Sequence, residues 1–251
     1  MTDPFFYPVA IFAVLIVGIS KGGFGGGLGL LAVPVMALVI SPLKAAAILL
    51  PILCVIDLFG LWSFRGRFDR FNLITLLPAA MVGIVIGALS FHSLSEQNIK
   101  LMTGVMALLF SIRFFSKKFL GSNVEAKSAS VFGGIFWGTL SGFSSFSVHA
   151  GGPALNVYLL SQKLDKSIFV GTTIIFFTVV NYAKLVPYTL LGLFKLENLA
   201  TSMILACFAP IGVMAGVYLH RRINEEWFYL SSYGLLLLAG IKLSYEGILG
   251  L

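Results

Sequence analysis

Two lysines stand inside long apolar runs. Lys21 lies in Ser20-Lys21-Gly22-Gly23-Phe24-Gly25-Gly26-Gly27, and Lys184 in Asn181-Tyr182-Ala183-Lys184-Leu185-Val186-Pro187-Tyr188. An ammonium at the centre of a bilayer costs ~2.5–3.5 kcal/mol on insertion scales, so each lysine calls for a partner. A bound anion is one candidate, and snorkelling to the interface is the alternative. Lys184 is the less able to snorkel, because its segment, Ile168–Leu193, continues well beyond it on both sides. Asp57 is a lone acid in the segment Ala45–Phe64. It fits three roles equally: a proton carrier, a partner for one lysine, or a surface carboxylate beside Arg65. His149 titrates near neutral pH and is the other proton-coupling candidate, with a buried structural imidazole as its alternative.

The backbone around these side chains carries a second signal. Lys21 sits in one glycine-rich break, and His149 in another, Ser141-Gly142-Phe143-Ser144-Ser145-Phe146-Ser147-Val148-His149-Ala150-Gly151-Gly152-Pro153. Irregular backbone at membrane depth is tolerated only where it is buried in protein or lines a cavity. Glycines let backbone N–H groups approach a ligand. Helices starting at Leu28 and Pro153 would aim the partial positive charge of their N-termini at an anion. Close helix packing is the alternative use of the glycines. Serine, threonine and asparagine could donate to oxyanion oxygens or bond freed carbonyls. Thr172, Asn181 and Tyr188, spaced by nine and seven residues, are expected to form one polar helix face. The candidate substrate-binding set is therefore Lys21, Gly25, Gly26, Gly27, Ser145, His149, Gly151, Gly152, Asn156, Thr172, Asn181 and Lys184.

No catalytic pattern competes with binding. The chain has no HExxH, no GxSxG and no paired carboxylates, and Gly22–Gly29 lacks the GK[ST] ending of a phosphate-binding loop. No enzyme activity, cofactor or metal site is expected. Cys54 and Cys207 lie in apolar runs and read as small buried hydrophobes.

The elements that would position these residues are membrane helices. Of 251 residues, 58% are hydrophobic and 11% charged, against about 25% charged in soluble domains. Apolar stretches long enough to span a bilayer recur along the chain. No basic residue precedes Lys21, so no secretory leader is expected. The net charge of +7 does not point to nucleic acid, because most basic residues cluster in short loops between apolar runs. Ten segments are read: Phe5–Ser20, Leu28–Ile40, Ala45–Phe64, Leu73–His92, Ile99–Phe115, Ala129–Ser141, Pro153–Ser161, Ile168–Leu193, Leu199–His220 and Trp227–Tyr245.

The second half repeats the first. Gly66, Phe68 and Leu73 match Gly192, Phe194 and Leu199 at an offset of 126, whereas Gly83 and Gly87 match Gly212 and Gly216 at 129. Two transmembrane repeats are expected, residues 1–120 and 121–251. Loop charges choose between a hairpin at each break and a single crossing. The hairpin reading puts eleven basic residues on one side and four on the other; single crossing gives nine and six. Because basic loops favour the cytoplasm, the hairpin reading is preferred. The expected fold is an all-α polytopic membrane protein of two inverted repeats. Each holds a pair of short half-helices forming a hairpin plus three full transmembrane helices, and both termini are extracytoplasmic. Matched breaks in inverted halves are the mark of a transporter site near the midplane.

The run from Gly18 to Pro34, centred on Ser20-Lys21-Gly22-Gly23-Phe24-Gly25-Gly26-Gly27, resembles the first-half signature of the sulfite exporter TauE/SafE family. The run from Ser141 to Leu160 is similar to its second-half counterpart, with Gly171, Thr172, Thr173, Phe176, Phe177, Asn181, Lys184, Pro187 and Tyr188 extending the likeness. Ser and His occupy the region where the commoner second-half pattern is glycine-rich. The resemblance implies a bacterial inner-membrane permease for small anions, with sulfite, sulfonates and other organosulfur compounds as the substrate class. The residues by themselves indicate an anion, and only the resemblance indicates sulfur. A passive anion channel is the alternative. Lipid and a small anion are the expected partners, nucleic acid is not one, and a homodimer through Gly83-xxx-Gly87 or Gly212-xxx-Gly216 stays open.

Overall fold

The computed structural model describes residues 5–26, 29–37, 39–90, 96–119 and 126–250. Among them the regular structure is entirely helical. The helices are α1 (Phe6–Phe24), α2 (Ala32–Ala37), α3 (Pro42–Ser63), α4 (Arg70–Leu89), α5 (Glu96–Phe119), α6 (Val131–Val148), α7 (Gly151–Leu160), α8 (Lys166–Leu190), α9 (Leu196–Ala206), α10 (Ala209–Arg222) and α11 (Glu225–Leu249). A single 3₁₀ turn, Gly29–Leu31, precedes α2. Among the described residues four helices are long and apolar enough to cross a membrane: α1, α3, α4 and α8. The α9–α10 pair, bent by 42°, makes a fifth if it is one span. The chain is a multi-pass membrane protein.

The sequence pattern predicts six full spans, and α5 and α11, 24 and 25 residues long, are long enough to be spans as well. One expectation needs correction: the hairpin arms are unequal. The first arms, α1 and α6, are 19 and 18 residues long, and only the returning arms, α2 and α7, are short at 6 and 10. The helix runs through both polar stretches with their polar and small residues accommodated. The Ser144 hydroxyl is satisfied by the Leu140 carbonyl at 2.7 Å, and Gly22 and Gly23 seat α1 against the backbone of α10.

Three helix pairs meet at glycine: α4 with α6, α1 with α10, and α5 with α11. A Cβ on Gly142 would lie 2.2 Å from the Ala80 carbonyl oxygen, one on Gly216 2.4 Å from that of Ile19, and one on Gly104 2.5 Å from the Ser244 nitrogen. The spaced glycines Gly83, Gly87, Gly212 and Gly216 are thus used in contacts within the chain. The bend at Cys207 and Phe208 has no counterpart in α4 and leaves Cys207 exposed, contrary to its reading as a buried hydrophobe; Cys54 is buried.

Contacts gather the basic helix ends into two groups. Arg65, Arg67 and Arg221 line one cavity, Lys166 donates to the carbonyls of His220 and Ile223, and Lys118 pairs with Glu226 at 2.9 Å. The N–H of Lys127 donates to the Ser161 carbonyl at 2.9 Å, and the Tyr158 hydroxyl donates to the Ser130 carbonyl, so α7 returns beside the start of α6. In the other group Lys44 and Lys195 line a common cavity, and Lys100 and Lys242 share Glu246. The four helices that start at the first group, α4, α6, α8 and α11, each have a side-chain cap: Asp69, Ser130, Asp165 and Asn224.

Candidate functional site

Both breaks end a helix by the same backbone device. Gly25 closes α1 in the left-handed region (φ 66°), and the N–H of Gly26 (φ 81°) reaches back to the Ser20 carbonyl at 3.0 Å. His149 closes α6 at φ 52°, and the N–H of Ala150 reaches back to Ser144 at 3.2 Å. These left-handed caps satisfy carbonyls that would otherwise be orphaned. Glycine takes that conformation without strain, whereas a histidine is held there by its contacts. The expected breaks therefore narrow to Gly25–Gly26 and His149–Ala150. Gly27 and Leu28 lie outside the described residues.

The two breaks touch: a Cβ on Gly152 would stand 3.0 Å from the Gly26 carbonyl oxygen. Between them is a cavity of about 30 Å³ lined by residues of both, including Lys21, Gly26, Ser145, His149, Gly152, Asn181 and Lys184. Leu49, Leu53 and Phe177 supply apolar wall. The N-terminus of α7 opens at Gly151 beside it. The first break offers a 3₁₀ turn and a six-residue helix instead, so the expected pair of converging helix N-termini is one helix end and one tight turn.

Two polar clusters border the cavity. In the first, Lys21 Nζ lies 2.5 Å from Asp57 Oδ1, Asn181 Nδ2 donates to Asp57 Oδ2 at 2.7 Å, and the Phe177 ring centroid is 5.3 Å from the ammonium. Asp57 is 1% exposed, so of its three readings the structure selects the lysine partner over the surface carboxylate. In the second cluster Lys184, fully buried, donates to the Ser145 carbonyl and hydroxyl, both at 3.2 Å, and meets His149 Nδ1 at 2.9 Å. His149 Nε2 lies 3.2 Å from the Ala46 carbonyl and 3.3 Å from the Tyr188 hydroxyl. A carbonyl can only accept, so Nε2 carries the proton and Nδ1 accepts from the ammonium. Among the described residues no carboxylate pairs with Lys184. The Lys21–Asp57 pair is formally neutral, so Lys184, when protonated, would bring the cavity a positive charge that no described carboxylate offsets.

The other sequence candidates fall outside this cavity. Gly25 lies next to Gly26 and packs on Phe169 and Thr173; the Gly151 carbonyl accepts from the Ser141 hydroxyl at 2.8 Å. Asn156 is buried in α7 with its Oδ1 unpartnered among the described residues. Thr172 accepts from the Asp69 N–H at 2.8 Å, near the basic loop. Nine residues at 100° each are two and a half turns, which puts Thr172 on the opposite face of α8 from Asn181. The sequence undervalued Tyr188 and gave no reason to choose Phe177. The step of seven from Asn181 to Tyr188 and the step of four to Asn181 from Phe177 were the available signals.

The family model for the sulfite exporter TauE/SafE matches residues 10–243, a stretch that includes both breaks, both lysines and Asp57. No curated protein and no solved structure matches the chain. On the extent of that match the chain belongs to the sulfite exporter TauE/SafE family, a family of membrane transporters.

Proposed function

We propose that the chain is a secondary transporter of small sulfur oxyanions, sulfite or sulfonates among them, working by alternating access. The observation that carries this reading is Lys184: a fully buried ammonium with neutral partners only, facing a cavity shared by the two breaks. A buried unpaired charge is costly, and an anion offsets it. A substrate oxygen would accept a hydrogen bond from the Lys184 ammonium in place of one of its present acceptors, with the Ser145 hydroxyl, the Asn181 amide and the N-terminal amides of α7 as further donors. Lys21 stays within reach, but Asp57 offsets its charge. Protonating Asp57 would release Lys21 and add a second positive charge, which makes Asp57 the stronger proton-coupling candidate. His149 would first have to leave Lys184.

Inverted repeats divided near residue 120 support the alternation of access. The contacts favour them: Arg65 and Arg67 lie with Arg221, and Lys44 with Lys195, which is the grouping the hairpin count requires. In this reading the arginine-rich end is cytoplasmic, the termini face outward, and the membrane is a bacterial inner membrane. The cavity measures about 30 Å³, room for water-sized occupants, so sulfite would have to part the two breaks to enter.

Purified protein in liposomes loaded with unlabelled sulfite, given labelled sulfite outside, should show uptake accelerated by the internal pool. Uptake indifferent to that pool would mean a channel. No uptake of sulfite, sulfoacetate or thiosulfate would overturn the substrate class. A reporter fused to either terminus should read extracytoplasmic.

A further inference from the structure

Away from the central cavity, the ends of α3 and α10 form a groove of about 620 Å³ lined by Arg65, Arg67, Arg221, Trp62 and Tyr218 among others. Each side brings apolar or aromatic groups followed by an arginine. From α3 and the turn after it come Trp62 and Arg65; from α10 come Met214, Tyr218 and Arg221. The α10 trio is spaced i, i+4, i+7 and so shares one helix face, and Leu58, one turn before Trp62, shares a face of α3 with it. The apolar and aromatic members face outward: Leu58 is 52% exposed, Trp62 69%, Met214 63% and Tyr218 61%. Arg222 lies over the Tyr218 ring, 5.0 Å from its centroid. Among the described residues none of the three groove arginines has a carboxylate partner.

We propose that this groove binds an anionic glycerophospholipid. The phosphate sits between Arg65, Arg67 and Arg221, and the acyl chains run down the Leu58 and Met214 faces. A planar guanidinium suits a phosphate because it donates two parallel hydrogen bonds. Trp and Tyr collect at the headgroup level of a membrane, so the two aromatics mark the depth at which a phosphate would lie. Basic pockets between transmembrane helices are where anionic headgroups bind. A water-borne oxyanion would need the arginines alone. The paired apolar faces directly below them fit an occupant with a charged head and two hydrocarbon tails. Arginines serving only as topology anchors would need no common groove.

The chain has three tryptophans, so Trp137→Phe with Trp227→Phe leaves Trp62 as a single reporter in the groove. This variant is reconstituted in phosphatidylcholine vesicles, and phosphatidylglycerol or phosphatidylcholine brominated near the top of the acyl chain is titrated in. Quenching of Trp62 should half-saturate at a several-fold lower mole fraction of the brominated phosphatidylglycerol. Arg221→Gln, which leaves the other basic residues of that end in place, should reduce the preference roughly fivefold. Equal quenching by the two lipids, or a preference unchanged in Arg221→Gln, would overturn the site. Abolition of the preference by millimolar inorganic phosphate in the buffer would also overturn it, because the ligand would then be a free anion. If Arg221→Gln fails to fold, Arg65→Gln makes the same comparison from the α3 side.

Discussion

The two breaks share a backbone and differ in charge. At each, a helix ends in a left-handed residue, and the residue four places earlier faces the cavity: Lys21 before Gly25, Ser145 before His149. Across from each, a long helix presents a polar group six residues before its end: Asp57 in α3, Lys184 in α8. In the first half the break helix supplies the ammonium and the facing helix the acceptor. In the second half the roles are exchanged, and the acceptor is neutral. The first cluster is therefore a closed ion pair and the second an open cation. Similar caps with unequal side chains give the cavity an ion pair on one side and a lysine with only neutral partners on the other, among the described residues.

Substitutions that remove one member at a time can break this comparison. The largest effect is expected for Asp57→Asn, which leaves Lys21 buried without a counter-charge. Thermal unfolding in detergent should show a loss of about 3–5 kcal/mol. Lys21→Met with Asp57→Leu should recover most of it, because replacing both members removes the charge as well as the pair. Recovery of nothing would mean that the pair does more than balance itself. Asn181→Leu comes next: Asp57 Oδ2 loses its 2.7 Å donor, for an expected loss of about 1–3 kcal/mol. The backbone substitutions are smaller and opposite in kind. Gly25→Ala forces a side chain into the left-handed region, at about 1–2 kcal/mol, and brings its Cβ to 2.5 Å from the Phe169 ring. His149→Gly should change stability by less than about 1 kcal/mol, since relief of the left-handed strain offsets the missing imidazole hydrogen bonds, while anion affinity falls. Equal destabilisation by the two would show that the caps are not asymmetric.

Much of this frame could be read from the chain. The break positions and the burial of both lysines follow from glycine, charge and spacing. Even the α9–α10 bend had a trace: the repeat offset grows from 126 to 129 between Leu199 and Gly212, and Cys207 and Phe208 fall inside that interval. What could not be read was partnership. Asp57 and Lys21 are 36 residues apart, and nothing local distinguishes Lys21 from Lys184 as the paired lysine. Helix continuation through Ser144 and Lys21 was hidden too, because serine and glycine read as breakers until α10 and the preceding carbonyls are in place. Thr172 was misplaced by a phase error, since nine residues are half a turn out of step.

Lys184, and not Lys21, is the anion's charge partner in this reading. The most direct test titrates sulfite calorimetrically into the wild-type protein, Lys184→Met, and the Lys21→Met/Asp57→Leu double variant. Loss of a charge-assisted contact predicts a roughly 10–100-fold weaker affinity for Lys184→Met. The double variant, which removes no net charge, should stay close to wild type. Unchanged affinity in Lys184→Met, or a collapse confined to the double variant, would contradict the assignment.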